Sequence, residues 1–213
     1  MAGNVYFLIF IDDYSQETWV YLLIQKYKEF SVFKIFKAMV EKEIGKHIKI
    51  LRLDRGGEYM LTNFIDFCHL HGIKRQFTAR YTPHQNGIAE RKNWTIMDMA
   101  RSMLKEKHLP NEYWGEVVGF DVYILNRSSM KSMKERVIEE AWNGKSCHIS
   151  HLRIFGFVAY AHVPKDLWKK LDDRSEKCIF IGYSKECKAY KIYNPITKKY
   201  IISRDVEFKE EEG

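Results

Sequence analysis

Two carboxylates stand where this chain could do chemistry. Asp54 closes the run IKILRL (48–53), whose apolar and β-branched content predicts a strand. Glu90 opens an amphipathic stretch from residue 88 to about 105. Its apolar positions, Ile88, Ile96, Met99, Met103 and Leu104, predict a helix with Glu90 in the first turn. Thirty-five residues separate the two carboxylates. A strand-end Asp and a helix-borne Glu offer the hard oxygen donors that a divalent cation takes. The pair is also common without any such role, because a Glu in a first helical turn is already favoured by the helix dipole. His84, Gln85, Asn86, Arg91 and Lys92 cluster around Glu90. Amides and cations in that arrangement suit phosphates and base edges; a solvated loop followed by a charged helix face would look the same. Lys74, Arg75 and Arg80 extend a basic track or are simply solvated.

The elements that must position these residues follow from the hydrophobic pattern. YFLIFI (6–11) is continuously apolar, as in a strand covered on both faces, and TWVYLLI (18–24) is a second strand. Asp12-Asp13-Tyr14-Ser15 between them is turn chemistry, which predicts a hairpin. The period then becomes helical through Phe30, Phe33, Phe36, Met39 and Val40, with Gly45 as C-cap. A short helix over 63–71 and a short strand over 73–77 follow. YTPHQNG (81–87) reads as a loop, punctuated by Pro and Asn-Gly. A further helix covers 111–125, and 126–150 is polar and irregular apart from 137–142. Beyond residue 151 only short strand-like runs remain, 154–163, 178–183, 190–193 and 200–208, at the spacing of a small barrel.

The bulk numbers fit this organisation. The chain has 213 residues, 46% of them hydrophobic, enough for one large domain or a medium and a small one. A formal net charge of +7 suits a polyanionic partner without requiring one. Cys68, Cys147, Cys178 and Cys187 show no CxxC spacing, which reads as reduced and intracellular and argues against a standard zinc site. The first apolar run is far too short to span a membrane, and nothing resembles a signal peptide. Trp19, Trp114, Trp142, Phe155 and Tyr160 read as core, and His47, His108 and His162 form no ligand pattern.

Longer motifs narrow the reading. FIDDYSQETWVYLL (10–23), LRLDRGGEY (51–59) and GIKRQFTARYTPHQNGIAERKN (72–93), with MARSML (99–104) and EEAWNGK (139–145), resemble the integrase catalytic core of copia-type long-terminal-repeat retrotransposons. HLRIFGFVAYAHVPK (151–165), KLDDRSEKCIFIGYS (170–184) and YNPITKKYIISRDVEF (193–208) resemble the SH3-like domain that follows that core in the same Pol polyproteins. The resemblance implies an α/β, RNase H-like core over 1–147 and a small all-β SH3-like domain over 148–213. It also implies polynucleotidyl transfer in DNA integration, by 3′-end processing and strand transfer. Asp54 and Glu90 would be two of three carboxylates holding a pair of Mg²⁺ (or Mn²⁺) ions. His84, Gln85, Asn86, Arg91 and Lys92 would contact DNA, both element ends and target. A homo-oligomer in the nucleus or a cytoplasmic particle is the matching expectation, with no membrane partner.

The family's first catalytic Asp lies on a strand upstream of the hairpin, central in the sheet. The chain is therefore expected to be an N-terminally truncated core lacking that strand, catalytically incomplete and poorly stable alone. Asp12 and Asp13 match the family's turn and not its metal position. The rival reading is a non-catalytic DNA- or protein-binding remnant of a transposable element. A hydrolytic nuclease of the same fold is disfavoured by the GIAERKN context. Departures from the family include Arg55 for the usual Asn, Gln16 for an Arg, and Trp94 for a basic residue one turn after Glu90. The last removes a phosphate contact and leaves a stacking surface.

Overall fold

A computed structural model describes residues 6–53, 57–77, 83–107, 109–130, 135–162, 175–184 and 186–209. Its packing divides into two units, Met1–Thr95 with Glu139–Lys145, and Ile96–Ile138 with Ser146–Gly213.

In the first unit, strands β1 (Tyr6–Ile11) and β2 (Thr18–Leu23) form the expected antiparallel hairpin, Tyr6 opposite Leu23 and Ile11 opposite Thr18. Asp12 makes the turn. Its Oδ2 accepts hydrogen bonds from Tyr14 N (3.2 Å), Ser15 N (2.7 Å) and Ser15 Oγ (2.8 Å). The Asp12 N–H in turn donates to Glu17 O at 2.9 Å, and Gln16 takes a left-handed φ of 64° to close the loop. Helix α1 (Glu29–Ile44) follows and ends, as its sequence predicts, on Gly45 at φ 70°. Strand β3 (Ile50–Leu53) pairs in parallel with β4 (Lys74–Phe77) across helix α2 (Thr62–Leu70), a βαβ unit.

The phenylalanines of α1 hold these pieces together. Phe36 stacks on Phe10 of the hairpin at 4.1 Å and meets Trp19 edge-on at 5.2 Å. Phe33 and Phe30 pack on Phe64 of α2, both at 5.4 Å. Phe33, Phe36, Val40, Leu53, Phe64, Cys68 and Ile73 form the buried core. The six apolar residues of β1 depart from expectation. None is fully buried, and Tyr6 is exposed. Among the described residues β1 is paired only with β2, and β3 only with β4, so one edge of each strand lacks the sheet cover that such a run suits.

Helix α3 runs from Pro83 to Glu106, five residues longer at its start than the amphipathic pattern indicates. Pro83 occupies a first helical position, where its missing N–H is no loss, and Asn86-Gly87 is helical rather than a turn. Glu90 consequently lies two turns into the helix, and the dipole explanation for a first-turn Glu does not apply.

In the second unit, helix α4 (Trp114–Asn126) packs on an antiparallel sheet. Two short strands, β5 (Ser129–Met130) and β6 (Arg136–Val137), precede helix α5 (Ile138–Asn143). The sheet comprises β7 (Val158–His162), β8 (Ser175–Tyr183), β9 (Tyr190–Asn194), β10 (Lys199–Ser203) and β11 (Val206–Lys209), in the order β10-β9-β8-β7-β11. Consecutive strands β10 and β11 lie at opposite edges, yet only Arg204 and Asp205 join them. Two residues reach across both edges only if the sheet is rolled into a small barrel. Tyr123 of α4 stacks on Tyr183 at 4.2 Å, and Phe120 meets Phe180 edge-on at 5.9 Å. Lys191 Nζ bonds Glu116 Oε2 at 2.7 Å. No helix among the described residues is long and apolar enough to cross a membrane, and the four cysteines form no disulfide.

Asp121 on α4 is fully buried, and neither carboxyl oxygen has a hydrogen-bond partner. Burial pushes its pKa up to about 7. The folded state therefore holds this proton more tightly than the unfolded chain, and stability falls as pH rises from the ordinary carboxylate range toward 7. Asp121→Asn is expected to raise the melting temperature by roughly 5 °C above pH 7, with the gain vanishing near pH 4. Melting curves across that range check it; a gain independent of pH would contradict it. Phe36→Ala should cost about 4 kcal/mol by denaturant titration, since it removes the ring that joins hairpin to helix.

Candidate active site

Helix α3 within the first unit has two distinct faces. Ile88 and Ala89 line a cleft beside the hairpin. Lys92 is half-buried near the buried Glu17 of the hairpin turn. Burial pushes the Lys92 ammonium below the usual lysine range, while Glu17 pulls it back. Glu90, Arg91 and Trp94 are exposed, Trp94 at 77%. At 100° per residue Glu90 and Trp94 fall nearly in line, about 6 Å apart along the axis. Gly87 lies between Glu90 and Arg91 on the helical wheel, and the Arg91 guanidinium leans back over it, its Nη1 3.5 Å from where a Cβ would stand. Thr95 Oγ1 donates to Arg91 O at 2.9 Å.

Of the residues singled out in the sequence, the structure thus places Glu90 and Arg91 on one exposed face and turns Lys92 away from them. Asp54 lies outside the described residues, directly after Leu53, the buried last residue of β3. His84, Gln85 and Asn86 are in the first turns of α3, and their side chains also lie outside the described residues. The division between Lys92 and Arg91 was available from helical periodicity alone, since consecutive residues point 100° apart.

The other carboxylates near the hairpin are engaged. Asp12 is bound by its own turn. Asp13 Oδ2 meets Arg52 Nη1 of β3 at 2.7 Å, an exposed pair that no local pattern encodes. Arg52 Nε also donates to Gln76 of β4 at 3.3 Å. Among the described residues, no three His, Cys, Asp or Glu side chains come together as a metal site. The acidic pair expected at a metal is Glu90 with Asp54, whose all-oxygen donors fit Mg²⁺ or Mn²⁺ and suit zinc poorly.

Comparison with known proteins agrees with both parts of the chain. Residues 1–83 match the integrase core domain, and residues 157–213 match the retroviral polymerase SH3-like domain. The retrovirus-related Pol polyprotein from transposon TNT 1-94 of Nicotiana tabacum is 47% identical over the whole chain. The corresponding polyprotein from transposon RE2 of Arabidopsis thaliana is 32% identical over 96% of it. The chain spans only 16% and 14% of the length of these relatives. A chain in the cryo-EM structure of the simian T-cell lymphotropic virus intasome in complex with PP2A regulatory subunit B56 gamma is similar in fold. Its TM-score is 0.52 at 12% identity, over 95% of this chain and 71% of that one. With both domain families in order and the plant relatives matching end to end, the chain belongs to the copia-type retrotransposon Pol polyproteins, in the stretch running from an integrase core to an SH3-like domain.

Proposed function

We propose that this segment handles DNA in integration, by 3′-end processing and strand transfer, with Asp54 and Glu90 as metal-holding carboxylates. The observation that carries the reading is the exposed face of α3, where Glu90, Arg91 and Trp94 stand together while Ile88 and Ala89 on its other side line the cleft beside the hairpin. Bound Mg²⁺ would supply a polarised phosphoryl oxygen and a nucleophile at neutral pH. The chain's own residues do the rest. Arg91 offers a fixed cation for a phosphate, and the Trp94 indole offers a flat face on which an unpaired base can stack. His84, Gln85 and Asn86, one to two turns ahead of Glu90, are proposed as further DNA contacts. Lys92 is assigned chiefly to holding the helix on the hairpin. A catalytic core over 1–147 followed by an SH3-like domain over 148–213, acting as a homo-oligomer on element ends and target DNA, completes the proposal.

The alternative is a binder without catalysis. It draws on Asp12 and Asp13, which are engaged in a turn and an ion pair and do not supply a third metal carboxylate. Strand transfer of a labelled DNA end in Mg²⁺ or Mn²⁺ separates the two, using this chain beside one extended upstream. Joining by the extended chain, lost in Glu90→Gln with DNA binding kept, is the expected result. Joining that survives Glu90→Gln refutes the catalytic assignment.

Binding should divide the α3 residues. Trp94→Ala is expected to weaken capture of a DNA end carrying unpaired bases roughly tenfold. Arg91→Ala should lower the slope of log affinity against log salt by about one. Lys92→Ala should instead lower the melting temperature and leave that slope unchanged. Fluorescence anisotropy over a salt series, with thermal melts of the same variants, checks all three.

A further inference from the structure

Glycine is the least favourable residue after proline inside a helix, yet Gly87 stands within α3, past its first turn. Its φ is not positive, so no backbone conformation requires it. The three atoms nearest to where its Cβ would stand all belong to the Arg91 guanidinium, Nη1 at 3.5 Å, Cζ at 3.7 Å and Nη2 at 3.8 Å. Among the described residues no neighbouring element comes closer than these, so tight packing of one element on another does not require the glycine either.

The guanidinium does use the space. Three nearly equal distances to atoms of one planar group mean that its flat face lies toward Gly87. Helical side chains lean toward the N-terminus, which brings Arg91 back over residue 87. A guanidinium donates only in its own plane. Lying flat, it directs its N–H groups along the surface of α3 rather than straight out from it. Gly87 falls between Glu90 and Arg91 around the helix, at 100° per residue. A phosphate held by those donors can therefore rest against the helix beside Glu90. Among the described residues no carboxylate pairs with the Arg91 guanidinium, so its donors are open to a ligand.

We infer that Gly87 is a positioning residue for Arg91: its missing side chain leaves a seat on α3 that holds the guanidinium flat and turns its donors to a DNA phosphate beside Glu90. This rests on the reading of Arg91 as a phosphate contact and adds the residue that aims it. A Cβ at 3.5 Å is in ordinary contact, so alanine leaves the seat usable. A longer side chain fills it and lifts the guanidinium off the helix.

The test is fluorescence anisotropy of a labelled DNA end over a salt series, on the whole chain, with thermal melts of each variant. Arg91→Ala sets the size of the Arg91 contribution. Gly87→Leu and Gly87→Gln are expected to lower affinity as Arg91→Ala does, roughly fivefold, and to reduce the slope of log affinity against log salt by about one. Gly87→Ala is expected to lose less than about twofold. Adding Gly87→Leu to Arg91→Ala is expected to cost less than about twofold more, because the two residues act as one. The Gly87 variants should melt no lower than the parent chain, since Leu, Gln and Ala all favour helix over glycine. Equal losses with alanine and leucine would mean that the bare main chain matters for itself. Additive losses in the double variant would mean that Gly87 acts apart from Arg91. Either result overturns the inference, as does a loss of affinity that comes only with a lowered melting temperature. Full affinity in Gly87→Leu and Gly87→Gln beside a weakened Arg91→Ala overturns it too, and leaves the phosphate reading intact. Full affinity in Arg91→Ala removes that reading, and this inference with it.

Discussion

The first unit depends on one helix gripping two separate strand pairs. Phe36 stacks on the hairpin, while Phe33 and Phe30, one and two turns earlier, pack on α2. These rings fix where β1 lies relative to β3, although no ladder connects them among the described residues. Offset and edge-on aromatic contacts contribute roughly 0.5–1.5 kcal/mol each beyond the area they bury. Their directionality matters here as much as their strength. A greasy but shapeless helix face would bury the same area without holding two sheet edges facing one cleft.

The candidate site borders the same arrangement. Ile88 and Ala89 of α3 line the same cleft that the hairpin and β3 border. Lys92 adds a charged anchor near Glu17. The exposed residues Glu90, Arg91 and Trp94 then owe their common orientation to what their neighbours bury. In the second unit a different logic operates. Tyr123 stacks on Tyr183, and the sheet rolls up because two residues must join its opposite edges.

Much of this was legible in the sequence where local rules act alone. The 3.6-residue period of Phe30, Phe33 and Phe36 marked α1, and Gly45 marked its end by needing a positive φ. Asp12 was readable as a turn residue, because an Asp side chain satisfies main-chain donors two and three residues on. The start of α3 differs from the sequence pattern because Pro and Asn-Gly usually punctuate loops, whereas a proline at a first helical position begins a helix equally well. The run over 200–208 has the pattern of one strand, and its break at Arg204 and Asp205 is set by closure of the sheet, which no local pattern encodes. Asp121 was equally invisible. Its burial is decided by the packing of the second unit and not by its own apolar neighbours along α4. The motifs around Asp54 and Glu90 pointed to the family directly, and the domain matches and plant relatives agree.

The central claim of the proposal is that Asp54 and Glu90 belong to one divalent-metal site. Paramagnetic broadening by Mn²⁺ in the NMR spectrum of the chain tests it most directly. The account predicts that resonances of residues 51–53 and 87–91 broaden together at the same low Mn²⁺ concentration, and that Glu90→Gln removes both effects at once. Broadening confined to one of the two segments, or unaffected by Glu90→Gln, would show that the two carboxylates do not form a common metal site.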